Sequence, residues 1–66
     1  MSYEEKMQWS LSVIEDISGA LERQRRIHKG YVKRGQLVSA AKTMAEIEVL
    51  EEELAREQEL FDLMFN

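Results

Sequence analysis

From Leu37 to Phe65 the chain reads LVSAAKTMAEIEVLEEELAREQELFDLMF. Ala40, Ile47, Leu54 and Phe61 recur there every seven residues, and Leu50 and Met64 stand three places after the second and the last of them. That is the a/d spacing of a helix that buries one seam against other helices. The chain has no Pro, and Ala, Leu, Met, Glu, Lys, Gln and Arg fill most other positions, so intrinsic propensity agrees with the periodicity. The stretch begins with small residues (Ser39, Ala40, Ala41, Ala45) that permit close packing and ends in bulk: Leu60, Phe61, Leu63, Met64, Phe65. Glu46, Glu48, Glu51, Glu52, Glu53, Glu57, Glu59 and Asp62 give it an acidic face.

The first half carries a second helix signal. Ser2 and Glu5 have the three-residue spacing of a capping box, and Glu4 and Glu5 suit the positive end of a helix dipole. At about 100° per residue, Tyr3, Met7, Leu11, Ile14, Ile17 and Leu21 form one stripe, and Trp9, Val13 and Ala20 widen it to roughly half the circumference. One neighbouring helix covers only a narrow seam, so this arc predicts a further partner, with Trp9 and Val13 left in water by a lone hairpin. Gly19 falls on the polar side, as a tolerated surface glycine or a point of close approach by another chain. From Glu22 to Gly30 the chain is polar almost all round before Tyr31 and Val32 resume the apolar face. Gly35, after Lys33 and Arg34, is the expected left-handed helix cap, with Gly30 as the competing break.

The run Gly30-Tyr31-Val32-Lys33-Arg34-Gly35-Gln36-Leu37, with Ala40, Ala41 and Met44, resembles the inner turn of a pentatricopeptide or tetratricopeptide helical pair. The resemblance implies a tight hairpin at Arg34-Gly35. It carries over neither RNA reading nor peptide binding, since a solenoid needs about three stacked repeats.

Size bounds the rest. Sixty-six residues make one domain, 1–66, whose core supplies no more than about 3–5 kcal/mol unaided. With no Cys, disulfides and thiolate zinc sites are excluded, and the single His28 argues against an all-protein metal site. Oligomerisation is the remaining source of stability. No apolar run approaches the roughly 18 residues of a membrane span, so the expectation is a soluble, cytoplasmic chain with no membrane partner.

The fold expected is all-α: an antiparallel two-helix hairpin, helices near 3–34 and 36–65, dimerising into a four-helix bundle. Met7, Trp9, Val13, Ile14, Ile17 and Leu21 from the first helix, with Ile47, Leu50, Leu54 and Phe61 from the second, are its expected oligomer interface. Six of the nine basic residues (Arg23, Arg25, Arg26, Lys29, Lys33, Arg34) lie near the turn, while the acidic block runs from Glu46 to Asp62. In one hairpin, register sets Arg25 beside roughly residue 44, so the two blocks do not meet. Two hairpins with turns at opposite ends bring the basic stretch of one level with roughly residues 52–60 of the other. Same-end pairing opposes like charges. Arg25 and Glu57, both interrupting apolar arcs, are the candidate cross-chain polar pair, or else both reach water at the bundle edge.

Function classes follow from what is present. The same six cations with Tyr31 are the candidate nucleic-acid contacts, against a net charge of −4. By architecture alone the expected bundle is similar to small four-helix RNA-binding regulators, which carries no function. His28 reads as a boundary residue with a hydrogen bond. The helix lacks the Glu-x-x-His motif of bundle metal sites, and no nucleophile has a recognisable His partner, so no cofactor and no enzyme activity are expected. Phe61 and Met64 are expected to close the bundle end against Met7 and Tyr3, leaving Leu60, Leu63 and Phe65 as candidate docking residues for another protein. The expectation is an interaction or regulatory module acting through self-association and helix-face binding, with nucleic-acid binding as the alternative.

Overall fold

The computed structural model describes residues 2–65; Met1 and Asn66, which the one-domain reading includes, lie outside them. Two α-helices, α1 (Tyr3–Lys33) and α2 (Leu37–Phe65), pack against each other as an antiparallel hairpin, and no strand occurs among the described residues. The outer bounds are those expected, while at the turn α1 stops and α2 starts one residue inside the expected limits.

Ser2 caps α1 with extended backbone (φ −73°, ψ 164°), its hydroxyl accepting from the Glu5 amide at 3.2 Å. At the other end Gly35 takes φ +72°, and two amides fold back: Gly35 N–H to the Val32 carbonyl (3.0 Å) and Gln36 N–H to that of Tyr31 (2.9 Å). This five-to-two and six-to-one pair is a Schellman cap, which satisfies carbonyls the helix end would orphan. Gly35, not Gly30, is therefore the break. Arg34 braces the turn, its Nε donating to Gln36 Oε1 at 3.3 Å and its guanidinium lying 5.3 Å from the Tyr31 ring centroid. Gly35→Ala is expected to cost about 1–2 kcal/mol, since a Cβ clashes in this left-handed conformation. Gly19→Ala is expected to stabilise by about 0.5–1 kcal/mol, because the added Cβ meets only the flexible end of Arg23, 3.4 Å away, mid-helix. Urea midpoints of the two variants should move in opposite directions.

The seam is built as the heptads require. Leu21, Ala40, Thr43 and Ile47 are buried, and Met7, Ile14, Ile17, Leu50, Leu54 and Phe61 are half-buried beside them. At the open end the stripe departs from heptad counting. Phe65 stacks edge-on against Tyr3 (centroids 5.3 Å apart) and tilted against Phe61 (5.0 Å), while Met64 is 57% exposed. A helix turning about 100° per residue drifts roughly 20° per heptad from a seven-residue repeat. Three heptads past Ala40 the drift carries Phe65 inward and Met64 out. Phe65, expected as a docking residue, instead closes the hairpin with Phe61.

The result is a rod of 49 × 15 × 15 Å with a radius of gyration of 15.1 Å, against about 11 Å for a compact chain of this length. Its accessible surface is 5119 Å², where a compact monomer of 7.8 kDa exposes about 4,400 Å². Two helices cover one another on one side only, so much apolar surface stays in water.

Candidate interaction surface

Of the ten expected interface residues, Leu21 and Ile47 are buried within the hairpin, Trp9 is exposed at 66%, and the other seven are half-buried. Val13, expected in water, is half-covered by its own chain. What remains outside the seam is a flank. Trp9, Val13, Ala20, Gln24, Ile27 and Tyr31 follow one another down α1 at spacings of three, four and seven, which keeps them on one side of it. On α2 the adjoining side carries Glu46, Val49, Glu53, Leu60 and Met64 by the same rule. Between the helices runs an open groove lined by Ala20, Gln24, Ala45, Glu46, Val49 and Leu50. It continues towards the turn past Ile27, Tyr31, Lys42 and Thr43. The alanines keep its floor low, and the exposed Val49 and Ile27 line it. Trp9, Leu60 and Met64, also exposed, lie beyond its lining on the same side of their helices, Trp9 bordering a hollow with Glu4, Glu5, Gln8 and Ser12. Ile27, Val49 and Met64 were not expected here; Ile27 sits inside a polar run and Val49 inside the acidic face, which masked both.

The opposite flank carries charge. Arg25 lies 3.8 Å from Glu51 of the same chain, with both side chains more than half exposed. Register by backbone level, which sets Arg25 beside roughly residue 44, does not predict this contact. The reason is side-chain lean: Cβ atoms tilt towards each helix N-terminus, so on antiparallel helices Arg25 and Glu51 reach towards each other along the rod. The pair is too exposed to contribute more than a few tenths of a kcal/mol. It does place Arg25 on the flank facing away from the groove, whereas Glu57, half-buried, belongs by helical spacing to the groove side.

Along the rod, charge is segregated. Residues 19–50, the turn half, hold seven Arg and Lys against three Glu, a net +4. The open half holds two against ten, a net −8. All six cations expected as nucleic-acid contacts are exposed; Arg26 lies 3.5 Å from Glu22 and Arg34 is engaged at the turn.

His28 is a structural tie across the helices. Its Nδ1 is 2.9 Å from both the Ala40 carbonyl and Thr43 Oγ1, and the Thr43 hydroxyl lies 2.9 Å from the Ala40 carbonyl and 3.2 Å from that of Ser39. A carbonyl only accepts, so Nδ1 carries the hydrogen and donates to this pair. Thr43, 7% exposed at a d position, is thereby satisfied. Among the described residues no group of three or more His, Cys, Asp or Glu is placed to hold a metal ion, and no helix is long and apolar enough to cross a membrane. Leu60 and Leu63, the remaining docking candidates, are exposed, Leu63 at 77%; they border a shallow hollow with Arg56 and Glu59.

No family model, curated protein or solved structure matches this chain. The likeness to repeat-protein turns stops at the Schellman cap.

Proposed function

We propose that this chain is a non-enzymatic interaction module that self-associates through the Trp9–Ile27–Val49–Leu60 flank and offers apolar surface at its open end, including Leu63, to another protein. The observation that carries the reading is the set of exposed apolar side chains, Trp9, Ile27, Val49, Leu60 and Met64, that helical spacing puts on the same flank as an alanine-floored groove lined by Val49. An apolar row of this kind in a small protein marks a binding face. The area agrees: the surface in excess of a compact monomer is roughly 700 Å², close to the roughly 800 Å² each partner contributes to a standard interface. Sedimentation of two charge variants tests it. Val49→Glu puts a carboxylate into the flank and should shift the species towards 7.8 kDa, while Ala55→Glu, exposed and about 120° round α2 from Val49, should leave the wild-type mass unchanged. Equal behaviour of the two variants contradicts the assignment of the face.

One observation favours a second reading. The turn half is net positive, and five of its seven exposed cations lie within a single stretch of α1, so phosphate binding by Arg23, Arg26, Lys29 and Lys33 is the alternative. It predicts binding to RNA or DNA that falls steeply with added salt; no binding at low salt removes it.

A further inference from the structure

We infer that the occupant of the groove flank is a second copy of this chain, docked with its turn at the opposite end of the rod. This inference rests on the self-association just proposed and adds its orientation and register.

Three observations carry it. First, the flank is complementary to itself under end-to-end reversal. The middle of α1 is residue 18 and that of α2 is residue 51. Trp9 and Leu60 each lie nine residues from the middle on the open side, and Ile27 and Lys42 nine residues from it on the turn side. Reversing one hairpin about a two-fold axis level with residues 18 and 51, the midpoint of the rod, therefore sets Trp9 and Leu60 of each copy level with Ile27 and Lys42 of the other. The two arms of the chain already keep this level, since Tyr3 meets Phe65 and His28 meets Ala40. An exposed indole then gains an aliphatic neighbour and a lysine within reach of its face, a favourable cation–π arrangement. Second, the reversal brings the +4 half of one copy level with the −8 half of the other, twice, and Lys42 carries a positive charge on the groove itself. The alternative, with both turns at one end, stacks −8 on −8 and +4 on +4, and repulsion selects against it. Third, Arg25 takes no part. It is held by Glu51 on the far flank, so the cross-chain contact expected between Arg25 and Glu57 gives way to the Trp9–Ile27 register.

The chain has no cysteine, so a single introduced one can be spin-labelled without background. Gln36→Cys places the label at the turn and Glu4→Cys at the open end; both positions are exposed. With turns at opposite ends, dipolar distances between like labels should be long: roughly 42 Å for position 4 from 28 intervening helical rises, and close to the 49 Å rod length for position 36. A mixture of the two labelled chains should add a short distance, below about 25 Å, set by two hairpins lying side by side. Short like-label distances with no short mixed distance overturn the orientation while leaving self-association standing. Absence of any inter-chain distance, with a 7.8 kDa species by sedimentation, overturns both. Either label alone decides the matter if the other variant fails to fold.

Discussion

Ile47→Ala is expected to unfold the protein at room temperature. Ile47 is 4% exposed at the middle of the seam, facing the α1 stripe that ends in the equally buried Leu21. Truncating a buried isoleucine costs about 2–5 kcal/mol through lost transfer energy and the cavity left behind. The core of a hairpin this size supplies about 3–5 kcal/mol in all, so one such change removes most of it. Far-UV circular dichroism should show the helical signal lost or its urea midpoint sharply lowered. Val38→Ala, at a position 74% exposed in the first turn of α2, should shift stability by no more than about 0.5 kcal/mol. Equal effects at the two positions would mean the seam does not hold the helices together.

Trp9→Ala should separate association from folding. Within one chain the indole is two-thirds exposed, so its removal leaves the hairpin's own packing intact, and alanine is the better helix former. Across an interface a buried tryptophan anchor is worth about 2 kcal/mol or more, a weakening of at least about 30-fold in the dissociation constant. Sedimentation against concentration reads this directly. In the wild-type chain, which has a single Trp, a blue-shifted fluorescence that moves red on dilution reports the same event. An unchanged mass profile in Trp9→Ala would remove the indole from the interface.

Much of the hairpin is legible in the sequence because its determinants are local. Ser2 three residues before Glu5 marks the start, and Gly35 after Lys33-Arg34 marks the turn. Ala40 and Ile47 mark the seam. What escapes is set by geometry beyond the repeat. Counting in sevens selects Met64 over Phe65, because the count ignores the drift of a helix with 3.6 residues per turn. Backbone level separates Arg25 from Glu51, because it ignores the lean of long side chains. The partner of His28 also escapes, although a signal exists: Thr43, a polar residue at a d position, lies near its level on the other arm. The binding flank is the hardest to read. Its members, Ile27 and Val49 above all, sit singly among charges, and only the packed hairpin shows that they line one continuous groove.

The most direct test of whether this chain can cover its own apolar surface is urea unfolding of the wild-type protein at two concentrations a hundredfold apart. A fold completed by a second copy gains about 2.7 kcal/mol from that change by mass action. With a denaturant dependence of about 1–3 kcal/mol per molar, the midpoint should rise by roughly 1–3 M, and the folded species should sediment at about twice 7.8 kDa. A cooperative transition whose midpoint does not move, from a species of 7.8 kDa, would show a hairpin sufficient to itself and contradict the account.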